Sequence, residues 1–180
     1  MFKKNLPNLL TISRAFAIPA IILSFYIENK YASLITISIF IFACITDFFD
    51  GYLARVWQVQ SRFGRLFDPI ADKLIVVSTI IMLIYKHKIN DFTIIPSVII
   101  VCREILVSGL REFLIAMNAS LPVSKIGKIK TFLQMIAVVA LIVNDYEITQ
   151  RIGIICLWIA AIITVWSGYS YILIGIKQTS

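Results

Sequence analysis

D-F-F-D-G-Y-L-A-R (Asp47 to Arg55), eight further residues, then G-R-L-F-D-P-I-A-D (Gly64 to Asp72) is the stretch from which the chain is best read. It places four carboxylates, Asp47, Asp50, Asp68 and Asp72, in otherwise apolar surroundings. Isolated charges are costly in lipid, so such residues face a polar cavity and mark function. On helices, Asp47 and Asp50 stand at i,i+3 and Asp68 and Asp72 at i,i+4, so each pair shares a face. Two such faces turned together make an all-oxygen cage, which suits hard divalent cations and not soft metals. Gly51 removes a side chain beside Asp50 and lets a ligand approach the backbone. Ala54 keeps that face low, Arg55 offers a planar charged fork to phosphate oxygens, and Gly64 suits a tight turn before the second pair. Pro69 leaves two geometries open at Asp68: a helical turn, or a cap with proline in the first turn of a new helix.

Outward from this stretch, the composition is that of a membrane protein. The chain has 180 residues, 59% hydrophobic and 15% charged, which excludes an ordinary soluble domain. We expect an all-α integral membrane protein: one domain over 1–180, six transmembrane helices and a short N-terminal interfacial segment. The length accommodates about six spans of roughly 20 residues with short loops. Met1-Phe2-Lys3-Lys4 before an apolar run mimics a signal peptide, but Arg14 interrupts the run and more spans follow. An uncleaved first helix is the expectation. Asn5 to Ser13 is mildly amphipathic and reads as the interfacial segment.

The spans are expected at Ser13–Tyr26, with Pro19 a kink, then Tyr31–Arg55, Gly64–Tyr85, Phe92–Met117, Ser124–Val143 and Ile152–Ile176. With the N-terminus inside, ten Lys and Arg fall in inner segments and four (Lys30, Lys86, Lys88, Arg151) in outer loops. That asymmetry predicts a cytoplasmic N-terminus and a cytoplasmic aspartate stretch. The apolar run Leu74–Tyr85 has only twelve residues, too few to span alone. A polar cavity open to the cytoplasm, walled by spans 2 to 5, accounts for that shortening.

The net charge of +7 fits positive-inside loops and anionic phosphate ligands, and no nucleic acid is expected. Cys44, Cys102 and Cys156 are widely spaced within apolar runs and read as small buried hydrophobes. His87 lies in a lysine-flanked loop and reads as solvated. Arg103 stands near the middle of span 4, and Arg111 lies about 12 Å further along and within roughly 80° of the same face. Two readings stay open for them: ion pairs with Glu104, Glu112 or an aspartate, or a pocket for a phosphorylated alcohol. Lys125, Lys128 and Lys130 read as positive-inside anchors or as part of that pocket.

The pattern D-x2-D-G-x2-A-R-x8-G-x3-D-x3-D resembles the signature of the CDP-alcohol phosphotransferases, integral membrane enzymes of phospholipid synthesis. All eight fixed positions, Asp47, Asp50, Gly51, Ala54, Arg55, Gly64, Asp68 and Asp72, match. L-P-N-L-L-T-I-S-R also resembles the family's opening, which implies Asn8, Thr11 and Arg14 near the nucleotide; Asn8 reads equally as a helix cap. R-E-I-L-V-S-G-L-R-E-F (Arg103 to Phe113) and G-K-I-K-T-F-L-Q (Gly127 to Gln134) look like segments of the members that make phosphatidylglycerophosphate.

The resemblance implies two divalent ions, Mg²⁺ or Mn²⁺, with Asp47 and Asp68 contacting both, Asp50 the first and Asp72 the second. It further implies CDP-diacylglycerol held by Gly51, Ala54, Arg55 and Ser61, besides Asn8 and Thr11. Glycerol 3-phosphate would be held by Arg103, Arg111, Lys128 and Lys130, with Asp72 taking the hydroxyl proton. An inner (cytoplasmic) membrane location and a homodimer are implied too. Rival readings are another acceptor within the family, a transporter or proton relay, and a non-enzymatic scaffold. Span 6 reads as generic, apart from a small-residue ladder (Ala160, Thr164, Gly168) that supports at most a dimer interface.

Overall fold

The computed structural model describes the backbone of residues 2–57, 62–117, 125–143 and 146–179, and the side chains of 12–47, 49, 67, 70–114, 117, 126–143, 146–169, 171 and 173. The described chain is all-helical: α1 (Phe2–Ser24), α2 (Ala32–Trp57), α3 (Arg62–Tyr85), a one-turn 3-10 helix (Asp91–Thr93), α4 (Ile94–Ala116), α5 (Lys125–Val143) and α6 (Glu147–Thr179). Among the described residues, three stretches are long and apolar enough to cross a membrane: Asp91–Leu114, Ile126–Val143 and Glu147–Tyr169. Ile12–Ser24 and Ala32–Asp47 are shorter apolar helices. Bulky side chains such as Phe16, Phe42, Ile162 and Trp166 are exposed, the pattern of a surface meant for lipid rather than water.

Several boundaries differ from the sequence expectation. α1 runs unbroken across Ser13, so the interfacial segment and the first span are one helix; no glycine interrupts it, and Pro7 falls within its first two turns. Gly64 and Asp68 lie inside α3 rather than in a turn or at a cap. The missing N–H of Pro69 there deprives the Arg65 carbonyl of its intrahelical donor without ending the helix. α6 starts at Glu147, which pairs with Arg151 one turn on (3.3 Å) and places a negative charge at the helix N-terminus. Its 33 residues amount to about 50 Å, longer than the hydrocarbon thickness of a bilayer.

The helices form two compact units, residues 1–86 and 87–180. In the first, α1 packs against both α2 and α3, burying Ala17, Ile21, Phe40, Ala43, Ile75, Ile80 and Leu83. Ser24 of α1 and Thr36 of α2, both buried, meet through their hydroxyls at 2.9 Å. Thr46 and Thr79 instead return their hydroxyls to carbonyls of their own helices, at Ala43 (2.8 Å) and Ile75 (2.7 Å). Tyr26, just past the end of α1, and Tyr85, the last residue of α3, meet with tilted rings 5.8 Å apart, and Lys86 lies 5.8 Å from both rings. Aromatic and basic side chains together are what a membrane–water boundary favours.

In the second unit α6 packs on both α5 and α4. Gly153 brings α5 and α6 close: a Cβ there would stand 2.7 Å from Leu141 Cγ and 3.2 Å from its backbone nitrogen. The Lys88 ammonium donates to the Ile142 carbonyl at 2.6 Å, satisfying a carbonyl in the last turn of α5. Ala160, Thr164 and Gly168 are all buried within this unit. The ladder therefore serves packing inside the chain and does not offer a face to a second copy. Cys44 and Cys156 are half-buried and Cys102 is exposed, so the expectation of three buried thiols fails at Cys102, which faces the same surroundings as the outward apolar residues. All three are free, and His87 is exposed as expected.

Candidate active site

α2 and α3 carry the aspartate stretch, with Asp47 and Asp50 in the second half of α2 and Asp68 and Asp72 in the first half of α3. Asp47 and Asp72 are half-buried. The backbones of Asn8, Thr11, Asp50, Gly51, Ala54, Arg55 and Asp68 are helical, while their side chains, and all of Ser61, lie outside the described residues. Among the described residues, which exclude the side chains of Asp50 and Asp68, no three His, Cys, Asp or Glu gather into a metal-binding group.

The sequence reading placed Arg14 near a nucleotide. In the structure its guanidinium, fully buried at 0% side-chain exposure, donates to Asp47 Oδ1, whose side chain is 39% exposed. A buried arginine in an apolar helix requires such a counter-charge, and that was the available signal. The partner, 33 positions away, was not inferable from spacing. By residue type the four carboxylates suit a hard divalent ion, and Asp47 would have to share its oxygens between that ion and Arg14.

The second unit gathers the basic residues. Arg103 lies ten residues into α4, and its Nη1 is 3.5 Å from Glu104 Oε1. The Lys130 ammonium of α5 donates to the same oxygen; Lys130 is 3% exposed and Glu104 17%. Among the described residues, one carboxylate thus faces two cations from two helices. From α6, Ser167 Oγ accepts a hydrogen bond from Arg103 Nη2 at 3.0 Å, and the Tyr171 ring lies 5.6 Å from the guanidinium carbon. Tyr171 itself is buried with Val107 and Leu114 of α4.

The structure therefore brings Arg103 and Lys130 together. It sets Lys128 apart: residues two positions along a helix point away from each other, and Lys128 is exposed. Arg111 is half-buried, its Nε buried without a hydrogen-bond partner among the described residues, and no ion pair among those residues includes it. Glu104 is the partner that the ion-pair reading of Arg103 anticipated, but Ser167 and Tyr171 were missed because α6 reads as an ordinary apolar helix.

Helices long and apolar enough to cross a membrane, aspartates paired by spacing on α2 and α3, and a cationic group on α4 and α5 are features of a membrane-embedded enzyme of phosphate chemistry. Residues 4–166 match the CDP-alcohol phosphatidyltransferase family, and the chain belongs to it. Among curated relatives, a protein of Rickettsia felis named CDP-diacylglycerol–glycerol-3-phosphate 3-phosphatidyltransferase is 50% identical over 172 residues, 93% of each chain. One of the same name from Pectobacterium atrosepticum is 41% identical over 170 residues, again 93% of each.

Proposed function

We propose that this protein transfers the phosphatidyl group of CDP-diacylglycerol to sn-glycerol 3-phosphate, giving phosphatidylglycerophosphate and CMP. The observation that carries the reading is the likeness, over nearly the whole length, to relatives bearing that name. The geometry adds a cationic group at Arg103 and Lys130 of the kind that a phosphorylated acceptor needs.

In this reading six helices cross the cytoplasmic membrane as one domain, with the N-terminus and a polar cavity on the cytoplasmic side. Asp47, Asp50, Asp68 and Asp72 would hold two divalent ions, Mg²⁺ or Mn²⁺, which supply charge neutralisation at a diphosphate. Gly51, Ala54 and Arg55, with Asn8, Thr11 and Ser61, receive the cytidine diphosphate. Arg103, Arg111 and Lys130 bind the acceptor's phosphate, and Lys128 adds positive potential at the entrance. Asp72 takes the proton as the glycerol hydroxyl oxygen bonds to the phosphorus bearing diacylglycerol. The bond from that phosphorus to the bridging oxygen breaks, and CMP leaves with the electron pair.

The test is CMP release by the purified protein from CDP-diacylglycerol across alcohols. We expect release with glycerol 3-phosphate and little with serine, inositol phosphate or phosphatidylglycerol. Release with serine in preference would move the chain to another acceptor, and none with any alcohol would remove the enzymatic reading.

A further inference from the structure

We propose that Ser167 and Gly168 of α6 are positioning residues for the acceptor: they fix Arg103 in the posture that receives the phosphate. The inference deepens the acceptor-site reading above and rests on it. An arginine side chain is long and rotamer-rich, so what holds it decides how much of its binding is lost to ordering. Ser167 is 2% exposed and its hydroxyl hydrogen is committed to the Thr164 carbonyl at 3.1 Å. Its lone pairs are thereby turned outward, and one accepts from Arg103 Nη2.

Gly168 supplies the room. A Cβ at that position would stand 3.3 Å from Arg103 Cγ and 3.7 Å from Nε, so the arginine stem lies across bare helix backbone. Tyr171, four positions after Ser167 and so on the same face, presents its ring to the guanidinium. Hydroxyl, gap and ring form a slot for the arginine, whose Nη1 is 3.5 Å from Glu104 Oε1. Each Nη carries two hydrogens, so after the bonds to Ser167 and Glu104 both keep one N–H for an anion. Guanidinium N–H groups are the donors by which arginine grips phosphate.

The experiment is steady-state kinetics on Ser167→Ala, Ser167→Thr, Gly168→Val and Arg103→Ala in the purified protein, with the melting midpoint of each variant measured without substrate. Loss of one intramembrane hydrogen bond predicts a KM for glycerol 3-phosphate raised about 3- to 10-fold in Ser167→Ala. The KM for CDP-diacylglycerol and the kcat should stay near the parent values. Gly168→Val should raise the same KM further, and Ser167→Thr, which keeps the hydroxyl, should restore it. Thermal stabilisation by glycerol 3-phosphate should weaken in the same order. If Arg103→Ala raises that KM while Ser167→Ala and Gly168→Val do not, the positioning role is overturned and the acceptor site stands. Should Arg103→Ala leave it unchanged, the acceptor-site reading falls and this proposal with it. A lowered melting midpoint with both substrates' KM values moved alike would show a packing role only and also overturn it.

Discussion

An aspartate that accepts a proton from an alcohol has to be ionised and close to water-accessible space. Asp72 is half-buried on α3, which meets both needs better than full burial would. Asp72→Asn is expected to bind CDP-diacylglycerol normally while kcat falls about 10²- to 10⁴-fold, the usual contribution of a positioned base. Equilibrium binding of the lipid nucleotide beside CMP release checks both halves, and near-normal turnover would remove Asp72 from that role. Arg14 has a different part, because its buried guanidinium answers the charge of Asp47. Arg14→Ala should cost about 1–2 kcal/mol, less than a fully buried pair because Asp47 is part-exposed. The thermal unfolding midpoint reads that loss. The helical setting of the four aspartates was readable from sequence, where spacing puts each pair on one helix face. The partner of Arg14 was not, since it is set by how α1 packs on α2.

The spans were readable as helices because apolar runs of this length leave few alternatives in lipid. Their ends were less so. Gly64 and Pro69 both carry turn chemistry, yet α3 continues through them, since helix packing outweighs a single missing hydrogen bond. α6 shows the opposite failure. Its sequence looks uniformly apolar, while the structure assigns Gly153 to the α5 contact and Ser167, Gly168 and Tyr171 to Arg103. Small residues in a membrane helix mark close approach, but not to which neighbour. At Gly153 the approach involves the Leu141 backbone nitrogen as well as its side chain. Gly153→Val is therefore expected to destabilise the protein by about 1–3 kcal/mol through overpacking, read by thermal unfolding in detergent. An unchanged midpoint would mean that α5 and α6 can part without loss.

For the molecule as a whole, the distribution of Lys and Arg predicts the orientation proposed above, with the aspartate stretch on the cytoplasmic side. In a chain with Cys44, Cys102 and Cys156 replaced by serine, Asn29→Cys and His87→Cys should each be labelled by an impermeant reagent from outside. Both positions are exposed between helices. Labelling only after the membrane is opened would invert the topology and with it the proposed access of glycerol 3-phosphate. The account depends above all on the aspartate pairs holding divalent ions, and spectroscopic titration of the purified protein with Mn²⁺ measures this most directly. The account predicts saturable binding of two ions per chain, displaced by Mg²⁺ and reduced in Asp47→Asn and Asp68→Asn. No saturable binding, or binding unaffected by those substitutions, would contradict it.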